Sequence, residues 1–276
     1  MTNLETLKWL PARLAFTTVG PASEGIRRGL RYGFSSGEML DYVYEDRPRG
    51  RWLVGGLIDR LFLGAAGWRG IRERRANLAR TLTAVVLARR GAGLPTRILD
   101  VASGPGRYLL DVAGMVGRQG VELDCRDADP DALAQGRRLA AELGLGNVTY
   151  RRHDALDPEG LGAIRPRPDV AVVSGLYEIV LDDRAVEASL RALGELLAPG
   201  GLLVVTGQPR HPQLELIRNL LRHRDGSPWV MRPRPTGVIE AWCRAAGAVD
   251  VHTTSDSQGI FTITFGRKPA GVDLGR

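Results

Sequence analysis

From residue 97 onward the chain alternates apolar runs of strand length with amphipathic runs of helix length, and this alternation restricts the fold more than any other feature. Strand candidates lie at 97–101, 121–127, 148–153, 169–174, 202–206, 248–253 and 260–266, with helical stretches near 107–116, 131–143, 184–197 and 236–247. Strands separated by helices predict a parallel sheet with helices on both faces. The last two strands are separated only by "TTSDSQG", too short for a crossover, so they must run antiparallel. The expected fold over 93–276 is therefore α/β and Rossmann-like: a doubly wound, seven-stranded, mostly parallel sheet that ends in an antiparallel hairpin.

Residues 1–92 predict a helical segment instead. Leu4, Leu7, Leu10 and Leu14 approximate a helical stripe, although Pro11 must start or kink a helix there. "SSGEMLDYVYEDRPRG" opens with a serine cap, Ser35 or Ser36, and places Met39, Leu40, Val43 and Tyr44 on one side. Between Trp68 and Arg90, Ile71, Leu78, Leu82, Val85 and Val86 recur at helical spacing among arginines.

The stretch "RILDVASGPGRYLLD" carries the chemistry. Ile98 and Leu99 read as the end of a strand with Asp100 as its last residue, Ala102 to Gly106 as a tight turn, and Tyr108 onward as a helix. Small residues let a ligand approach the backbone, and the helix start offers free N–H groups. A nucleotide-like cofactor across the carboxyl end of the sheet is the expectation. "GPGRYL" places Leu109 where the third glycine of a dinucleotide fingerprint belongs, which weakens a nicotinamide reading. Asp127, followed by Ala128, ends the second strand, where a carboxylate can accept from ribose hydroxyls; Asp129 is its rival in register. Asp154, followed by Ala155, ends the third strand, placed for a purine amine or as a helix cap. Ser174 and Gly175 end the fourth strand in small residues.

The ordered set "ILDVASGPG", "RDADP", "RHDA", "PDVAVVSGLYE" and "LAPGGLLVVTG" resembles the motif series of class I S-adenosylmethionine-dependent methyltransferases. It departs at Ala102, where many members have glycine. More narrowly, "SSGEMLDYVYEDRPRG", "GWRGIRERRANL", "SGLYE" and "HRDGSPWVMR" are similar to a little-characterised bacterial methyltransferase group, members of which can be fused to α/β-hydrolase or lipid-synthesis domains. The resemblance implies S-adenosylmethionine as cofactor, held by Asp100, Ala102, Gly104, Gly106, Asp127, Ala128, Asp154, Ala155, Ser174 and Gly175, with Asp100 near its amino-acid moiety. It also implies that the segment ahead of the first strand covers the substrate.

Methyl transfer from a sulfonium is an in-line displacement, so alignment and exclusion of water do most of the work and a general base is optional. Tyr177 and Glu178 follow the fourth strand, where a substrate could be met, and His211 in "GQPRHPQ" is the candidate base because histidine titrates near neutrality. No metal-ligand spacing is present around Cys125 or Cys243.

Charge separates the two halves. Residues 1–95 hold 16 Lys+Arg against 8 Asp+Glu, a net +8, and residues 96–276 hold 22 against 23, a net −1. Either the arginines solvate helix faces, or they meet an anionic acceptor, a membrane surface or nucleic acid; without RNA-binding motifs, nucleic acid is the weakest of these. Tyr32, Tyr42, Tyr44, Trp52 and Trp68 fall among the arginines and could form either a substrate lid or a helix-to-helix core. No apolar stretch reaches the ~20 residues of a membrane span, and no secretory layout opens the chain, so cytoplasmic residence is expected. The leading expectation is methylation of a small-molecule or lipid-like, anionic acceptor, with peripheral membrane contact left open. The alternatives are RNA methylation, a nicotinamide-dependent oxidoreductase, or a cofactor-binding module without catalysis.

Overall fold

The computed structural model describes residues 7–223 and 225–271, and they form two compact units: 1–72 with 211–231, and 73–210 with 232–276.

The larger unit holds a seven-stranded sheet of order β3-β2-β1-β4-β5-β7-β6. Its strands are β1 (Thr96–Val101), β2 (Val121–Asp127), β3 (Val148–Arg152), β4 (Val170–Val173), β5 (Leu202–Gly207), β6 (Val249–Ser255) and β7 (Thr262–Arg267). β1 to β5 pair in parallel, whereas β7 runs antiparallel to both β5 and β6. The expected architecture is present. Alternation along the strands sends successive residues to opposite faces. Ile98, Leu123, Val172 and Val204 pack in one core with Leu78, Leu82 and Leu109; Leu99, Val101, Val173 and Val205 pack in the other with Val186 and Leu190. Strand order reverses between β1 and β4, which places a ligand crevice at the carboxyl ends of those strands.

Among the described residues the α-helices, in order, are α1 (Leu10–Thr18), α2 (Glu24–Tyr32), α3 (Gly37–Glu45), α4 (Trp52–Leu63), α5 (Ala66–Gly91), α6 (Arg107–Val116), α7 (Pro130–Glu142), α8 (Pro158–Gly162), α9 (Asp183–Leu196), α10 (Leu214–Leu220) and α11 (Thr236–Ala245). Of the two serines before α3, Ser36 is the cap, its side chain accepting from the Met39 N–H. Periodicity missed the one-turn α8 and the short α10.

The smaller unit contains α1 to α4, the start of α5, and α10. Phe34, Met39, Tyr42, Val43, Leu63 and Trp68 are buried in it. The segment 211–231 belongs to this unit through long-range bonds: Phe34 N–H donates to Arg222 O at 2.9 Å, and Ser35 Oγ lies 2.7 Å from His223 Nδ1. Of the aromatics in the basic segment, Tyr42 and Trp68 are core residues while Trp52 is exposed. Leu7, Leu10 and Leu14 of the expected stripe are also exposed; Leu4 lies outside the described residues.

Candidate cofactor and active site

The glycine turn after β1 is built from left-handed backbone. Ala102, Gly104 and Gly106 have φ of +60°, +55° and +70°, a region glycine enters without penalty and alanine only with strain. Gly106 also has no room for a side chain, since a Cβ there would lie 2.8 Å from Cys125 Sγ. β1 extends one residue past Asp100, to Val101.

Asp100 is fully buried, and neither carboxylate oxygen has a hydrogen-bond partner. Burial pushes its pKa well above the usual carboxylate range; the neighbouring Tyr108 hydroxyl opposes this and the Asp127 charge adds to it. An unpaired buried acid is costly unless something binds it.

Asp127 ends β2 and clamps the turn: Oδ2 accepts from Gly104 N at 2.7 Å and Oδ1 from Asp129 N at 2.8 Å. Burial raises its pKa, and these backbone donors offset part of that. Each carboxylate oxygen keeps a second lone pair for a ribose hydroxyl. Asp129 instead caps α7, accepting from Asp131 N, while Ala128 beside them is exposed.

Asp154 lies two residues beyond the end of β3, is exposed, and accepts from Leu156 N at 2.8 Å. Ala155 is buried, and its carbonyl accepts from Ser189 Oγ at 2.6 Å. After β4, Ser174 and Gly175 are half-buried. Gly175 has φ of +80°, and its N–H donates to Thr206 Oγ1 at 3.0 Å. A Cβ on it would stand 3.0 Å from Arg74 Nη2.

Arg74 was not singled out by sequence; its only signal was membership of "GWRGIRERRANL" on a basic helix. It is buried, donates to Glu178 Oε1 at 2.7 Å, and its guanidinium lies over the Phe261 ring at 4.7 Å. Arg75 and Arg89 on the same helix pair with Asp111 and Asp169. Part of the basic excess is thus structural.

The three sequence-nominated catalytic residues sit in different settings. Glu178 is buried with Oε2 unpartnered. Tyr177 is buried and its hydroxyl is 2.8 Å from Ser189 Oγ, tying the β4 loop to α9; burial raises its pKa. His211 belongs to the smaller unit. Its Nδ1 accepts from Gln213 N at 3.0 Å, which leaves the ring proton on Nε2, and burial lowers its pKa to about 4.

A reversed-order parallel sheet with an antiparallel β7, a left-handed glycine turn after β1 and an acid ending β2 define a class I methyltransferase fold. The family model described as "Putative methyltransferase" matches residues 1–268, and the chain belongs to that family. An uncharacterised Escherichia coli K12 protein, YnbC, is 41% identical over 255 residues, covering 91% of this chain and 43% of its own length. A ubiquinone biosynthesis O-methyltransferase of Cereibacter sphaeroides is 33% identical over 141 residues, 51% of each chain. The chain thus spans about half the length of these relatives. A Bordetella parapertussis crystal structure, described as a possible exported protein, superposes with TM-score 0.76 at 23% identity over 97% of this chain and 93% of that one.

S-adenosylmethionine is the cofactor of this class, and the residues fit it. Asp100 offers two unpartnered carboxylate oxygens suited to an ammonium group, Asp127 offers lone pairs to ribose, and Gly104 to Gly106 leave a cradle a larger side chain would fill. When bound, the cofactor supplies an electrophilic methyl group on sulfur.

Proposed function

We propose that the chain transfers the methyl group of S-adenosylmethionine to a small-molecule or lipid-like, anionic acceptor. The observation that carries the reading is the orphaned Asp100 carboxylate beside the glycine turn: a buried acid without a protein partner is explained by a cationic ligand group. The lipid-like acceptor is supported by similarity to an enzyme named for ubiquinone biosynthesis. The anionic acceptor is supported by the charge of the smaller unit, 14 Lys+Arg against 9 Asp+Glu.

Catalysis in this reading rests on alignment and exclusion of water. Glu178, through its unpartnered Oε2, is the group available to an acceptor proton, and Arg74 orients it. Tyr177 braces the loop. His211, with Nδ1 engaged and its pKa depressed, orients its own loop. Cytoplasmic residence belongs to the same reading, supported by the free thiols of Cys125 and Cys243.

Calorimetry checks the cofactor: S-adenosylmethionine and its demethylated product should bind, and NAD(H) and NADP(H) should not. Transfer of isotope-labelled methyl to phenolic or carboxylate-bearing lipid-like acceptors, weakening as salt rises, checks the acceptor class. Nicotinamide preference would overturn the reading.

A further inference from the structure

Helix α4, with the sequence WLVGGLIDRLFL, buries an acid while leaving most of its leucines outside. Its inward side carries Gly55, Asp59 and Leu63, and its outward side carries Leu53, Leu57 and Leu61. Asp59 is fully buried and accepts from Ser23 Oγ at 2.6 Å, Gly25 N at 2.8 Å and Arg49 N at 2.8 Å, and also from the Tyr42 hydroxyl. Gly55, on the same side, lies so close to the turn before α2 that a Cβ would stand 2.5 Å from Ala22 O. These contacts lock the rotation of the helix, so it cannot roll to bury Leu53, Leu57 and Leu61.

The outward residues Leu53, Leu57 and Leu61 follow one another at i, i+4 and i+8, one stripe of a helix. They are 94%, 59% and 68% exposed, and Trp52 at the helix start is 83% exposed. Arginines frame the stripe: Arg47, Arg49 and Arg51 precede it and Arg60 lies on the helix, all exposed. Arg47, Arg51 and Arg60 carry no ion pair among the described residues, whereas the nearby acids Glu45 and Asp46 are paired with Arg49 and Arg72.

We propose that the outward face of α4 is an interfacial anchor for an anionic lipid bilayer. At twelve residues the helix is roughly 18 Å long, too short to span but sufficient to lie in the interface plane. Leucines enter the acyl boundary, the tryptophan sits at headgroup depth, and the arginines meet lipid phosphates. The layering of the face, an aliphatic centre within a basic frame, complements an anionic leaflet. A second copy of the chain would set one arginine frame against another, a like-charge contact that costs affinity. The inference is separate from methyl transfer, and its readout is partitioning.

The test is co-sedimentation of the full chain with vesicles of phosphatidylcholine alone or with added phosphatidylglycerol. The chain should bind the phosphatidylglycerol vesicles and release them as salt rises. Arg51→Gln with Arg60→Gln should weaken binding about thirtyfold, at about fivefold for each arginine near an anionic leaflet. Leu53→Glu with Leu57→Glu should weaken it about a hundredfold, the scale of losing two buried leucines. Both variants should keep cofactor affinity and cooperative unfolding, because the altered side chains point outward. A fluorophore on Leu57→Cys, with Cys125 and Cys243 buried, should shift to the blue on those vesicles. Equal binding to both vesicle types would overturn the proposal. So would a concentration-dependent dimer that the leucine variant dissolves while the native chain ignores lipid.

Discussion

Both compact units bury an aspartate completely, and they treat it in opposite ways. In the smaller unit Asp59 accepts from two hydroxyls and two backbone N–H groups contributed by α2, α3 and the loops before α2 and α4. In the larger unit neither Asp100 oxygen has a hydrogen-bond partner in place, and the nearby Tyr108 hydroxyl eases its burial only in part. Desolvation penalises both, but only Asp59 recovers the penalty within the fold. A satisfied buried acid organises structure, and the unsatisfied one is where the proposed cofactor's ammonium group would bind.

The sharpest way to break this contrast is to remove the acid that is satisfied. Asp59→Ala strands four donors and should cost about 3–5 kcal/mol, read as a lower urea midpoint. A loss under about 1 kcal/mol would show that the network is no better than a surface cluster.

The complementary change, Asp100→Asn, should cost no stability. A carboxyl whose folded pKa is raised destabilises the fold as pH climbs from its ordinary value, 3.8, toward the folded one. The asparagine variant lacks that liability and should be the more stable protein at pH 8. It should also bind S-adenosylmethionine about tenfold to a hundredfold more weakly, since a hydrogen bond to a charged group contributes roughly 1.5–3 kcal/mol. In the native protein, binding should release protons and tighten as pH rises through the Asp100 range, because an ammonium partner favours the carboxylate. Calorimetry in buffers of different ionisation enthalpy reads this directly.

Asp127 and Asp129 sharpen the comparison within the larger unit. Asp127→Ala removes the proposed ribose acceptor and the clamp on Gly104, so cofactor affinity should fall about tenfold to a hundredfold. Asp129→Ala removes only a helix cap, costing about 1 kcal/mol of stability with affinity nearly unchanged. Reversed results would move the ribose contact to Asp129.

The smallest effect concerns His211. Its folded pKa of about 4 lies below the ordinary 6.5, so its contribution is present above pH 6.5 and is lost as pH falls toward 4. Urea titrations at pH 7.5, 5.5 and 4.5 should show a shallower acid limb in His211→Gln than in the native chain.

Much of the larger unit was legible in the sequence because its information is local. Period-two apolar runs set the strands, Gly104 and Gly106 set the turn, and "TTSDSQG" forced the reversed hairpin. Asp127 was placed correctly at the end of β2, whereas Asp154 fell beyond its strand into a loop. Arg74 was not legible as a site neighbour, because Glu178 is 104 residues away and nothing near Arg74 encodes that pairing.

The sequence by itself determined the order and type of the strands and longer helices of the larger unit, since helix and strand periodicities are decided by neighbours within one or two turns. It also determined where the left-handed turn after β1 falls, since glycine, as at Gly104 and Gly106, enters that backbone region without strain. Only the tertiary structure decided that 211–231 belongs with the first unit, through bonds spanning up to 206 residues. The same holds for the face α4 turns inward. Its pattern offers a leucine stripe and one acid, and hydrophobicity alone would bury the stripe. The donors from Ser23, Gly25, Tyr42 and Arg49 converge on Asp59 from separate segments, and together they hold Leu53, Leu57 and Leu61 outside.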